Sequence, residues 1–562
     1  MKFLALLVLS AAVLVASQSA ANEVAAVEGM VVRASSAEPL ADVQIQLGNY
    51  TASSDSNGHF MIGNIAPGAY PLMVQRPGFI VLGRNPTIGN NSGAIARLTL
   101  ASKQSVVGVQ IEMVATGIIS GRMLGADGAP LVNFIIQGLR RTYQDGKDRI
   151  APFNLPNPAR TDDRGDFRVT GLPPGEYFIM VQPPPAQQTS AGPLAAFYPG
   201  TRDPKQASAI TVKEGEETSH IDMNLQSGMP VFITGYVVPD PSDGIPSQLS
   251  AGALPRSPDV SFITMFGFSY SPTTTPPGQF TIRGFPVAAG SYDLFVAATG
   301  PNMDFFGSSP IEIGNDPISD IAVPLHAGTE IPGHVTIQEN ASGLKLTALP
   351  MDLRSISYSI SSRARNLEVS ALTNAVRAQL GAAAAVAAAS VATTAEKVID
   401  PEGNFRIRSL PAGVFTIVPT LPANSCMIDV TQGGWSVLDS GIVVDDRKME
   451  PLEVVISTAC AELEGVVLEA GAPRGLGRIV LIPDPPHRHR FGLYLTTTTD
   501  AQGRFYLEGV SPGSYQLYSW RSITDNAWTD EQILSKYDGR GTPVTVTAGS
   551  HVKDLKVQRI PN

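Results

Sequence analysis

One signature recurs along the whole chain: Asp-x-x-Gly-x-Phe, then at a fixed distance an apolar residue and Pro-Gly-x-Tyr. Its first copy is Asp55, Gly58, Phe60, Ile65, Pro67, Gly68 and Tyr70, and its second, at identical spacing, is Asp162, Gly165, Phe167, Leu172, Pro174, Gly175 and Tyr177. The fourth copy (Asp400, Gly403, Phe405, Leu410, Ala412, Gly413, Phe415) and the fifth (Asp500, Gly503, Phe505, Val510, Pro512, Gly513, Tyr515) keep the register. The third is degraded: Gly278, Phe280 and Phe285 hold position, Thr275 replaces the Asp, and two extra residues precede Gly290 and Tyr292. The signature glycines are 107, 113, 125 and 100 residues apart, a period of whole domains rather than of solenoid units.

Asp opening a turn, with Gly three residues later, suits a type I turn, because the carboxylate bonds nearby amides and Gly tolerates positive φ. Alternating apolar residues follow each turn, as in Phe60 and Ile62 or Phe505 and Leu507, the pattern of a half-buried strand. Pro-Gly then predicts a second turn, and the Tyr beyond it a packed ring whose hydroxyl bonds loop backbone. A Gly-containing opening strand precedes each copy, at Gly29, Gly121, Gly235, Gly333 and Gly465, and closing strands follow it. The prediction is an all-β chain: a tandem array of about five antiparallel Greek-key, prealbumin-like β-sandwiches. The expected boundaries are 22–114, 115–227, 228–328, 329–458 and 459–562. The fourth module carries an alanine-rich, helix-favouring insertion at 366–396, read as an excursion lying on the sandwich or as a partner-binding helix.

Lys2, the apolar run Phe3 to Ala16 and the small residues Ser19, Ala20 and Ala21 predict a cleaved secretory signal over residues 1–21. The alternative, a membrane anchor, asks for a longer apolar span. No membrane span is expected after cleavage, and the mature chain is expected to be secreted, periplasmic or in the cell envelope. In that oxidising setting the only cysteines, Cys426 and Cys460, are candidates to pair. Closing a loop of that length is worth about 3 kcal/mol on the chain-entropy model, and titration of two reactive thiols in the denatured, unreduced protein would exclude it. A net charge of -10 with 16% charged residues lacks the basic footprint of a nucleic-acid binder.

The seven histidines form no His-Glu-x-x-His pattern, so no metal, cofactor or catalytic residue is expected. His487-Arg488-His489 is the one close pair, read as a solvated loop or a weak metal site. Binding candidates come instead from aromatic residues in the excursions after the Pro-Gly-x-Tyr strands. Module five offers Trp520, Trp528 and Tyr537 beside Asp525 and Asn526, the stacking faces and hydrogen-bonding groups of a sugar site. Phe197, Tyr198 and Trp435 are secondary candidates. The alternative is that these rings cap the sandwiches.

The x-Gly-x-Val opening (Glu28-Gly29-Met30-Val31), the Asp-x-x-Gly-x-Phe turn and the Leu172 to Tyr177 segment resemble the carboxypeptidase regulatory-like family, a transthyretin-like sandwich repeated in bacterial surface proteins. The resemblance covers modules one, two and five well, module four in its turn, and module three weakly. The catalytic carboxypeptidase domain has no counterpart, so the resemblance implies a non-catalytic interaction fold, similar also to carbohydrate-binding-like folds. The first expectation is a secreted binding protein for extracellular or envelope polysaccharide or a surface protein. The second is a spacer or scaffold without a small ligand, and the third an enzyme with an unrecognised constellation.

Overall fold

The computed structural model describes residues 24–561 apart from 84–93, 145, 154–158, 185–190, 230, 239–247, 256–268, 272–277, 283–289, 300–303, 315, 340–355, 360–399, 411–412, 418–420, 422–423, 446–447 and 486. The signal segment 1–21 and the insertion 366–396 lie outside the described residues. The chain is all-β, a succession of β-sandwiches. Five buried apolar clusters draw in turn on residues Ala25 to Met113, Ile119 to Leu225, Val231 to Leu325, Ile331 to Ile456 and Ala461 to Val557. The degraded third copy thus still closes a core around Phe280 and Tyr292.

The signature performs the same local work in modules one, two and five, and its glycine does so in all five. Asp55 Oδ1 accepts the amides of Asn57 and His59 at 2.9 and 2.8 Å, and the same pair of bonds recurs at Asp162 and Asp500. The Gly58 carbonyl accepts the Val31 amide of the opening strand at 2.8 Å, as Gly165, Gly278, Gly403 and Gly503 do for Met123, Val237, Val335 and Val467. Past the second turn, Tyr70, Tyr177 and Tyr515 donate their hydroxyls to the carbonyls of Ala66, Pro173 and Ser511, each four residues earlier, at 2.8 to 2.9 Å.

The opening glycine and the turn phenylalanine are cross-strand partners in all five modules: Gly29 with Phe60, Gly121 with Phe167, Gly235 with Phe280, Gly333 with Phe405 and Gly465 with Phe505. On its other side each opening strand runs parallel to the closing strand, as Ala25–Arg33 does to Ser105–Ala115. Each module therefore carries parallel pairing in an otherwise antiparallel sandwich; in module two it is shared by two short strands, Glu217–Thr218 and Met223–Leu225, and in module five His551–Ile560 also runs parallel to Gly513–Trp520. The glycine is where both neighbours press in. A Cβ at Gly29 would lie 2.1 Å from the Val109 carbonyl oxygen and 2.8 Å from the Phe60 ring, and one at Gly465 would lie 2.3 Å from the Leu555 oxygen.

Modules two and five bury their second sheet on both faces. The corner strand of module one, Gly68–Gln75, alternates between exposed and covered residues, but in Gly175–Gln182 and Gly513–Trp520 the last residues are almost continuously buried. A near-continuous apolar run is what a doubly covered strand requires. The outer face is covered in module two by a cluster of Leu139, Ile150, Phe178, Met180 and Phe197. In module five the cover comes from the segment after Trp520.

Burial pushes the Tyr177 and Tyr515 hydroxyls up to about 12. The unfolded chain releases these protons near pH ~10, so above that pH it binds fewer protons than the folded chain, and stability must fall as pH rises towards 12. The expected outcome is a loss of about 2–3 kcal/mol per tyrosine between those limits, read as a falling denaturant midpoint by circular dichroism. A midpoint flat from pH 10 to 12 would contradict it.

Candidate binding cleft between modules four and five

The segment after Trp520 is a compact cap. Trp520 and Trp528 are 5% and 4% exposed. Trp520 stacks on Tyr518 with centroids 5.0 Å apart and on Trp528 at 6.3 Å, and Tyr537 meets its edge at 5.5 Å. Arg478 lies over the Trp528 ring and pairs with Asp525. Asn526 turns the chain at φ 60°, and Asp530 caps the short helix Glu531–Leu534 by accepting the Gln532 and Ile533 amides. The structure thus brings Trp520, Trp528 and Tyr537 together, but as a packed layer over Val480, Ile482 and Ile560, with the indole faces already occupied. Phe197 is fully buried in the equivalent layer of module two, and Tyr198 packs against that module's core. Trp528→Ala is expected to cost about 3–5 kcal/mol through the cavity it opens, read as a lowered Tm. An unchanged Tm would mean the cap does not hold the sheet.

Trp435 is placed differently. It is 81% exposed, on a hairpin whose turn is Gly433-Gly434 at φ 57° and 83°, and its strand partner is Gln432. The other end of that hairpin, Cys426 to Ile428, lines a cleft of 730 Å³ where module four meets module five. Module four contributes Leu421 and Leu438 besides, and module five contributes Asp484, His487, Phe491, Leu493, Glu508 and Tyr515.

Three ties fix this cleft. The sulfurs of Cys426 and Cys460 are bonded across 34 residues, fastening its floor to the first strand of module five. Ser511 Oγ donates to the Met427 carbonyl at 3.1 Å. Asp439 is clasped by module five, accepting His489 Nε2 at 2.6 Å and both Arg490 Nε and Nη2, with His487 3.9 Å away. The Arg490 guanidinium, helped by His489, holds the Asp439 carboxyl far below the usual carboxylate range. His487-Arg488-His489 forms a single solvated turn with no buried residue. Among the described residues no group of three or more His, Cys, Asp or Glu side chains could hold a metal ion. The cleft offers apolar walls with carboxylate, imidazole and hydroxyl groups among its lining residues, the mixed surface usual in ligand-binding clefts.

Module five also reaches the start of the chain. Glu112 of module one pairs with Arg474 at 2.8 Å, Arg521 at 3.3 Å and Arg559 at 3.8 Å. Arg521 Nη2 donates to the Ala34 carbonyl at 2.9 Å, and Leu476 and Ala501 pack against the core of module one. The Gly146 amide of module two donates to Thr529 Oγ1 at 3.2 Å. The fifth module thus folds back on the first and second while staying clasped to the fourth.

No family model matches this chain, and no curated protein matches it. Solved structures do. It is similar to a streptococcal ancillary pilin at 11% identity and a TM-score of 0.19, over 54% of this chain and 99% of that one. It is similar to the major pilin subunit BcpA of Bacillus cereus at 11% identity and a TM-score of 0.14, over 54% and 99%. The Bacillus anthracis TIE protein matches at 14% identity and a TM-score of 0.16, over 54% of this chain and 51% of its own, so the chain spans about half of it. Among the described residues no helix is long and apolar enough to cross a membrane.

Proposed function

We propose that this chain is a secreted, non-catalytic binding protein of the bacterial cell envelope, built from carboxypeptidase regulatory-like modules with the boundaries given above. It holds a stretch of envelope polysaccharide in the cleft between modules four and five. The observation that carries this reading is the cleft itself: 730 Å³ of mixed apolar and hydrogen-bonding surface whose floor is anchored by a disulfide and whose side is anchored by Asp439. Fixed geometry lowers the entropic cost of holding a ligand. Trp435, exposed on the hairpin that runs out of the cleft, offers an open ring face on which a sugar can stack. A spacer would need none of the contacts that draw module five onto modules one, two and four.

The test is a polysaccharide pull-down and glycan array with the full chain, beside Ser514→Trp, which fills the cleft rim, and Trp435→Ala. Binding that both substitutions weaken by about ten-fold or more supports the reading. Binding indifferent to both, or capture of an envelope protein and no glycan, would replace it.

A further inference from the structure

A second cavity, of 490 Å³, lies where modules one, two and five meet. Module one supplies an apolar floor of Ile80, Leu82 and Val114, module two the Pro173-Pro174 corner and Arg140, and module five the run Arg521 to Thr524. Pro173 and Pro174 have no N–H to offer, and two guanidiniums supply charged donors. Arg140 and Arg521 both line the space, and Arg521 Nε is buried without a hydrogen-bond partner. The one carboxylate on the wall, Glu214, is already engaged, accepting the Ala115 amide at 3.2 Å and lying 3.6 Å from Arg33. Behind Arg521 the buried network holds Arg474, Arg521 and Arg559 against Glu112 and Glu469, one guanidinium more than carboxylate. In a chain of net charge -10, this junction is locally cationic.

We infer that this cavity binds a small organic carboxylate, up to about a disaccharide in size. Guanidinium groups at a concave, partly desolvated surface favour a planar carboxylate over a neutral group. The volume suits a ligand larger than a simple ion. Ile80, Leu82, Ile523 and the two prolines would cover its carbon skeleton, and the Ser35, Ser522 and Thr524 hydroxyls on the rim would meet its oxygens. The site shares no residue with the cleft between modules four and five, so either can fail alone. Because all three modules contribute, a bound carboxylate would also hold module five in place against modules one and two.

Isothermal titration of the full chain with three probes tests this: cellobiouronate, cellobiose and glutarate. Cellobiouronate is expected to bind saturably and about ten-fold or more tighter than cellobiose, with affinity falling as salt rises. Glutarate binding equally well assigns a free organic acid, and glutarate binding more weakly assigns an acidic sugar; both keep the carboxylate. Ser522→Trp, which fills the cavity mouth and keeps every residue of the Glu112 network, and Arg140→Gln should each reduce binding at least about ten-fold, while Ser514→Trp in the other cleft should not. Three results would overturn the inference: no binding at about 10 mM, equal binding of cellobiose, or binding that survives Ser522→Trp unchanged.

Discussion

Gly465→Val is expected to unfold module five. The opening strand Ala461–Glu469 is squeezed between Arg504–Val510 on one side and His551–Ile560 on the other. A Cβ at Gly465 would stand 2.3 Å from the Leu555 carbonyl oxygen and 2.7 Å from the Leu555 Cβ. Backbone on a paired strand cannot move aside as a side-chain tip can, so the parallel ladder itself must break. The cost should be on the order of 4 kcal/mol, among the larger effects of a single substitution. Because module five carries the three arginines that hold Glu112, its loss should also free module one. Calorimetry of the full chain should show one transition lost and a second lowered. Gly63→Ala, where a Cβ meets nothing within 4 Å, should stay within about 0.5 kcal/mol of the parent. If both substitutions gave the same Tm, the crowding at the opening strand would not be what fixes these sandwiches.

Glu112→Ala should have the second large effect, on the arrangement of modules rather than on any one core. The Glu112, Arg474 and Arg559 side chains are only 12%, 13% and 8% exposed. Burial already lowers the Arg559 proton affinity, with Arg474 adding repulsion and Glu469 and Glu112 opposing them. Without Glu112, Arg474 and Arg559 would share Glu469 and Arg521 would lose its carboxylate, and breaking a buried network by removing one partner costs about 3–5 kcal/mol. The interface should open instead of paying that penalty, since module one keeps its own core. The predicted signature is a larger maximum dimension in solution with little change in the individual sandwich transitions. An unchanged dimension would mean the Glu112 contacts follow from the closure and do not cause it.

What the sequence disclosed follows from range. Asp55, Gly58 and Tyr70 act on backbone within a few residues, so spacing alone announces their roles. The partnership of Gly29 with Phe60, or of Gly465 with Phe505, joins two motifs visible separately but paired across a span that no local pattern encodes. The parallel closing strand is hidden for the same reason. Aromatic excursions were ambiguous because a stacked indole pair and an open sugar platform use the same residues. The continuous burial of Arg478–Pro483 and the end of Gly513–Trp520 is the signal that decides for packing, since a sheet open on its outer face would alternate. His489 and Arg490 carried no mark of their partner, because Asp439 lies 50 residues away in another module. The two clefts were illegible altogether, being made by modules meeting.

That meeting is the centre of the account, and small-angle scattering of the full chain, with and without Glu112→Ala, measures it most directly. The parent should show a maximum dimension well below the roughly 170 Å of five modules end to end, each about 34 Å across for its size, and the variant should extend towards that length. A parent already extended to about 170 Å and unmoved by the substitution would contradict the closure of module five onto modules one and two, and with it the cavity at their junction.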